Sequence, residues 1–348
     1  MPHLENTFTQ LLKTQPYLLA DGATGTNLFQ AGLMTGDAPE LWNIDEPDKI
    51  RAHYQAFADA GSDIILTNTF GGTRYRLMLH KAQDRVEELN IAAVKLLKEV
   101  VEKADKPIAI AGSIGPTGEI LEPNGPVTNA EASAAFKEQA AALVSAGVDV
   151  LWLETMSSIE EVEAAVDGVA EFGLPIVFTM SVDTNGRTMM GITPEQIIHL
   201  SSNVSSKIHA CGTNCGVGAS EVVATVMTMK NASDDASPLL VAKANCGIPE
   251  WLDGEIVYNG TPELMANYVH LALDAGAKIV GGCCGTSYKH VAAMRVAMDN
   301  YQASNVLNMA KVESELGKIS KGAMDLYLGI DNVAATLANK KSKRRRRA

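Results

Sequence analysis

Three stretches of the sequence share one pattern: ADAGSDIILTNTF (58–70), VSAGVDVLWLETM (144–156) and LDAGAKIVGGCCG (273–285). Each closes a helical pattern with Ala-Gly, takes a short polar step, runs apolar for several residues and ends on polar or small ones. That is a helix-turn-strand unit, repeated along the chain. The same unit recurs at YLLADGATG (17–25), KPIAIAGSIGP (106–116), LPIVFTMSVD (174–183), SKIHACGTNCG (206–216) and PLLVAKANCG (238–247). Helical patterns lie near 47–60, 81–103, 131–146, 158–172, 193–204, 217–230, 261–275 and 288–300, some opened by Thr-Pro starts such as ITPEQIIHL and GTPELMANY. Continuous apolar runs alternating with helices describe a parallel sheet covered on both faces.

Eight such units predict an α/β chain folded as a (β/α)8 TIM barrel, and 348 residues fit one large domain of that kind. An open, doubly wound sheet would want a glycine-rich nucleotide loop after its first strand. DGATGTNLF carries Gly22 and Gly25 but not G-x-G-x-x-G. The expected division is a barrel over 1–300, a C-terminal helical extension over 301–339 and a basic tail over 340–348. The extension is expected to cap the barrel or to join copies of the chain into a homo-oligomer.

The net charge of −12 hides an asymmetry, because KKSKRRRR (340–347) holds 7 of the 29 basic residues and no acid. The remainder has 22 basic residues against 41 acidic ones, a net of −19, which is a poor surface for nucleic acid. The tail reads as a solvated end, or as an electrostatic dock for an acidic partner or RNA. No window approaches the ~18 consecutive apolar residues of a membrane span, and the N-terminus lacks a basic segment leading into a long apolar one. A cytoplasmic protein with no membrane partner is expected. An odd count of 5 cysteines fits reduced thiols, metal ligands or catalysis better than a disulfide framework.

A barrel keeps its chemistry at the C-terminal ends of its strands. Those ends read Asp21-Gly22, Asn68-Thr69, Ser113, Glu154-Thr155, Ser181-Asp183, Asn214-Cys215, Asn245-Cys246 and Cys283-Cys284. Four of the five cysteines thus fall on one face. Converging thiols call for a soft tetrahedral metal, most naturally Zn2+. Neighbouring residues on a strand point to opposite faces, so Cys283 and Cys284 can share a metal only if the backbone bends, which Gly281, Gly282 and Gly285 permit. The alternatives are small core side chains or a strained vicinal disulfide. Three thiolates leave a fourth position open, and a thiol substrate placed there would be held as a nucleophile, which suits alkyl transfer onto sulfur.

Together LLADGATGTNL, LTNTF, GSIGPTG, LWLET, NCGVG and GGCCGT, in that order over roughly residues 10–300, resemble the zinc-dependent homocysteine S-methyltransferases. That family includes the betaine-homocysteine methyltransferases and the homocysteine-binding module of cobalamin-dependent methionine synthase. The resemblance implies that Cys215, Cys283 and Cys284 bind zinc and that the homocysteine sulfur takes the open position. It also implies that Asp21, Gly22, Thr69 and Glu154 hold the amino-acid end. A carboxylate suits an ammonium, and backbone N–H groups with a hydroxyl suit a carboxylate.

The donor must come as a small molecule or on another protein, because none of the 7 histidines stands in an Asp-x-His-x-x-Gly corrinoid motif and no S-adenosylmethionine loop is recognisable. Betaine and related onium donors such as dimethylsulfoniopropionate are cations without N–H groups, which aromatic faces attract. Trp42 in PELWN is the leading candidate by resemblance to the betaine branch, with Tyr75, Trp152, Trp251 and Tyr288 as helpers. NTFGGTRY has Thr73 where animal-type betaine enzymes carry a tyrosine, and here the chain looks more like the methionine synthase module. The alternative is therefore one component of a split synthase, methylated by a separate corrinoid protein. A non-catalytic zinc-thiolate scaffold would leave Asp21 and Glu154 without a role. Cys211, four residues before Cys215, is expected to face the same side but deeper, as core, and Cys246 to be a small side chain or a spare ligand.

Overall fold

The computed structural model describes residues 6–183, 185–252, 255–304 and 306–330; the expected basic tail (340–348) and the end of the extension (331–339) lie outside them. The strands are β1 (Leu18–Leu19), β2 (Ile64–Leu66), β3 (Ala109–Ile114), β4 (Val150–Met156), β5 (Ile176–Met180), β6 (Ile208–Cys215), β7 (Leu239–Ala244), β8 (Pro249–Leu252), β9 (Glu255–Tyr258) and β10 (Ala277–Gly282). Among the described residues eight of them form one parallel sheet in the order β1-β10-β7-β6-β5-β4-β3-β2. A parallel bridge from Ala20 to Ile64 joins the two outer strands, with Asp21 N donating to Ile64 O at 3.0 Å and Asp63 N to Leu19 O at 2.7 Å. The sheet is thereby a (β/α)8 TIM barrel, as the eight repeated units predict.

Alternation along each strand divides the apolar residues into two cores. Leu18, Ala20, Ile64, Ala111, Trp152 and Val241 are among those that fill the barrel's interior. Leu19, Ile65, Leu151, Phe178, Leu240 and Val280 face the surrounding helices. A strand buried on both faces can afford no alternating polar pattern, so its sequence is continuously apolar. The helices begin where the sequence supplies caps. Thr128 accepts from Glu131 N while the Glu131 side chain returns to Thr128, and Thr193-Pro194 and Thr261-Pro262 open Pro194–Asn203 and Pro262–Asp274.

Two elements lie outside the repeated pattern. The N-terminal helix Thr7–Thr14 puts Phe8 and Leu11 into the interior core and is tied down by Asn6 and Thr7, which donate to Asp149 O at 2.6 Å and Asp149 Oδ1 at 3.2 Å. Asp149 immediately precedes β4, so this helix closes the N-terminal end of the barrel. The antiparallel hairpin of β8 and β9 rises from the loop after β7, at the opposite end. In the C-terminal segment, helices Met309–Leu316 and Lys321–Tyr327 bury Met309, Val312 and Ala323 in the helix-facing core, and Ser320 N donates to Glu221 on helix Ala219–Ala232.

Candidate active site

At the C-terminal end the inward rows of the strands turn from apolar to polar. Two residues beyond interior Ala111, Trp152 and Val241 stand Ser113, Glu154 and Lys243. They border a cavity of about 390 Å³ that Gly22, Thr67 and the three cysteines Cys215, Cys283 and Cys284 also line. The Sγ atoms of those cysteines lie within 4.8 Å of one another, and Cys215 and Cys284 are 3.7 Å apart. Sulfurs ligating zinc at about 2.3 Å in a tetrahedron stand about 3.8 Å apart, so the donor set fits a soft metal of that kind. As thiols alone, all three are held above the ordinary range. Cys215 is pushed up to about 12, first by the hydrogen bond it shares with Cys283, and Cys284 to about 11, first by its hydrogen bond with Cys215. A dication is the group that would reverse this.

The convergence has local causes. Cys215 has φ +61°, a left-handed backbone that rolls its side chain back over the barrel mouth. Without it, Cys215 would follow Cys211, which faces the helices and is buried among them. The two therefore do not share a side, contrary to their even spacing, although Cys211 is core. Cys283 and Cys284 follow the last residue of β10 and are pinned to the neighbouring strand, with Cys283 N donating to Ala244 O at 2.7 Å and Cys246 N to Cys284 O at 2.9 Å. Of the flanking glycines, Gly285 alone supplies positive φ, +77°. A side chain at Gly281 or Gly282 would instead collide, with Ala20 Cβ at 2.9 Å and Thr286 Cγ2 at 2.2 Å respectively. Over Gly285 lies the ring of Tyr258, close enough to Cys284 for burial and the neighbouring thiol together to push the tyrosine hydroxyl up. Cys246 turns away from the cluster into the helix-facing core and donates to Gly260 O at 3.2 Å.

The residues expected to hold an amino acid are placed unequally. Glu154 lines the cavity and accepts from Ser113 Oγ; burial pushes its carboxyl up, against the pull of Lys243. Gly22 lines it through its backbone, and a Cβ there would meet Thr286 O at 2.4 Å. Asp21 is 1% exposed and already committed, its Oδ2 accepting from Leu66 N at 2.8 Å and its Oδ1 from Lys243 Nζ at 3.0 Å. Thr69 is fully buried, its hydroxyl donating to Ser113 O at 2.7 Å, and Thr67 rather than Thr69 reaches the cavity. Burial works against the Lys243 ammonium, but Asp21 and Glu154 outweigh it and hold the group above its ordinary value.

Trp42 does not line the cavity. It packs against the helix-facing core in the short helix Trp42–Asp45, and the Lys49 ammonium sits 4.3 Å from its ring centroid. Its neighbours bind the loop instead, Asn43 donating to Asn68 O at 2.9 Å and buried Glu40 accepting from Gly71 N at 2.6 Å. Trp152 is sealed in the barrel interior, Tyr75 packs on the outer core, Tyr288 is 48% exposed at a helix start, and the Trp251 side chain lies outside the described residues. The rings of Phe29 and Phe70 do line the cavity, with the His80 imidazole. Lys243 and Tyr258 are the site residues the sequence did not disclose, while Asn214, named there only as part of a strand end, bonds Thr155 on both sides at 2.7 and 2.9 Å. Lys243 alone carried a signal, a charged residue inside the apolar run LLVAKA.

The sequence model of the family described as homocysteine S-methyltransferase matches residues 18–298 of this chain. The homocysteine methyltransferase MmuM from Escherichia coli is similar in structure. Its metallated form shares 23% identity over 84% of this chain and 99% of that one, with a TM-score of 0.68, and its oxidized form gives 23%, 84%, 99% and 0.69. At that identity the likeness speaks for the fold. Among the described residues no helix is long and apolar enough to cross a membrane.

Proposed function

Because this chain belongs to the homocysteine S-methyltransferase family, we propose that it is a zinc-dependent transferase carrying a methyl group from a small onium donor, betaine or a relative such as dimethylsulfoniopropionate, onto homocysteine. The product is methionine. One observation carries the finer reading: three thiols, one from the end of β6 and two from the turn after β10, converge on a cavity that also presents a carboxylate, Glu154. Cys215, Cys283 and Cys284 would hold the zinc, which when bound supplies the positive charge that keeps a thiol ionised near neutral pH.

The chain's own groups then orient the substrate. Glu154 receives the ammonium, in place of the Asp21 implied by resemblance, because Glu154 lines the cavity and Asp21, bonded to Leu66 N and Lys243 Nζ, does not. Phe29 and Phe70 offer ring faces to a donor cation in the place expected of Trp42. As the new C–S bond forms, the donor's C–N or C–S bond breaks, its electron pair leaves with the donor heteroatom, and the thiol proton passes to solvent.

Zinc content and methionine formation on the purified chain test this, with homocysteine and betaine, dimethylsulfoniopropionate, S-methylmethionine or methylcobalamin supplied singly. We expect about one zinc per chain, turnover with an onium donor, and loss of both in Cys283→Ala and Cys284→Ala. Full zinc content in either variant removes the metal site. Turnover with methylcobalamin alone assigns the chain to a split methionine synthase instead.

A further inference from the structure

We propose that Lys243 binds the carboxylate of the amino-acid substrate, and so supplies half of the recognition of that end of the molecule. This rests on the reading of the cavity as a homocysteine site. Lys243 projects from β7 into the polar rim of the barrel interior, and its side chain is 3% exposed, yet it borders the cavity beside Gly22, Glu154 and Cys283. An ammonium carries three N–H donors. Among the described residues the one hydrogen-bond acceptor it reaches is Asp21 Oδ1 at 3.0 Å, and it stands over the Trp152 ring, 5.5 Å from the centroid. A buried ammonium with N–H groups to spare is costly unless a ligand completes its set.

The charge pattern selects the ligand. Asp21 and Lys243 form a buried pair of no net charge, so neither an additional ammonium nor a bare anion is favoured by that pair alone. Within this buried group, adding Glu154 leaves one carboxylate in excess beside one under-used ammonium, while Asp37, Glu40 and Arg76 line the same cavity. A zwitterion with its ammonium and carboxylate on adjacent positions matches that arrangement, and the thiol cluster lies at the same cavity for the sulfur end. Asp21 then serves to position Lys243: anchored by Leu66 N at 2.8 Å, it fixes where the ammonium stands. Lysine suits this role because its charge is a point donor that can serve two carboxylates at once.

The test uses calorimetric binding to the zinc-loaded full chain, independent of turnover, with three ligands. They are homocysteine, 3-aminopropane-1-thiol, which lacks the carboxylate, and 4-sulfanylbutanoate, which lacks the amine. Lys243→Met should weaken homocysteine and 4-sulfanylbutanoate by about ten- to a hundredfold and leave 3-aminopropane-1-thiol within about twofold. Because that variant strands the Asp21 carboxylate, the double variant Lys243→Met with Asp21→Asn, which restores neutrality, is measured beside it and should show the same selectivity. Equal losses for all three ligands, or a loss that follows the amine, overturn the role of Lys243. Failure of the unaltered chain to bind homocysteine overturns the homocysteine reading itself.

Discussion

A single dihedral angle separates Gly285 from the two glycines before it. At φ +77° it turns the chain back beneath the Tyr258 ring, and a Cβ there would stand 2.4 Å from Tyr258 Cβ and Cγ. An L residue in that conformation costs roughly 1 kcal/mol before any collision is counted. Gly285→Ala should therefore displace Tyr258 from Cys284 and weaken zinc binding by about tenfold or more, as losses around a metal's ligands commonly do. Competition against a chelator reads it, and an unchanged affinity would remove Tyr258 from the support of the site. At this scale the sequence spoke clearly where a residue type has few uses, as with adjacent cysteines between glycines. It was silent where backbone conformation decides, since nothing in NCGVG announces that Cys215 will break the strand's alternation. Trp42 misled because an aromatic ring can pack as well as bind, and Lys49 already covers its face.

The helices and strands were legible because each must satisfy its own local physics. A strand covered on both faces has to be apolar throughout, and a helix needs its cap, so β4 and the helix Asn129–Ala146 stand within a few residues of where the pattern puts them. The hairpin of β8 and β9 carries no such obligation, and neither does the first helix, whose eight residues show only two that are buried. Those two matter nonetheless. Phe8 is completely buried in the interior core, and Phe8→Ala should cost about 3–5 kcal/mol of stability by leaving a cavity at the barrel's N-terminal end. Urea unfolding measures it. Homocysteine affinity should hold, since the thiol cluster lies at the other end, and a fall in affinity matching the fall in stability would show the two ends to be coupled.

For the whole molecule the barrel order matters more than any one element. The thiols come from β6 and from the turn after β10, which are separated in the sheet by β7, the strand that carries Lys243. Metal ligands and amino-acid recognition are thus interleaved around one rim, although they lie far apart along the chain. The first helix has a further consequence for traffic. With Phe8 and Leu11 filling one end, the cavity is a cul-de-sac: Glu154 and the thiols lie inward, and Phe29 and Phe70, at 47% and 37% exposure, stand at its entrance. Two reactants using one door must queue. The amino acid should enter first and its methylated product leave last, so methionine should compete with homocysteine, and saturating homocysteine should abolish methionine inhibition against the donor. Competitive inhibition by methionine against the donor would mean that the queue does not form.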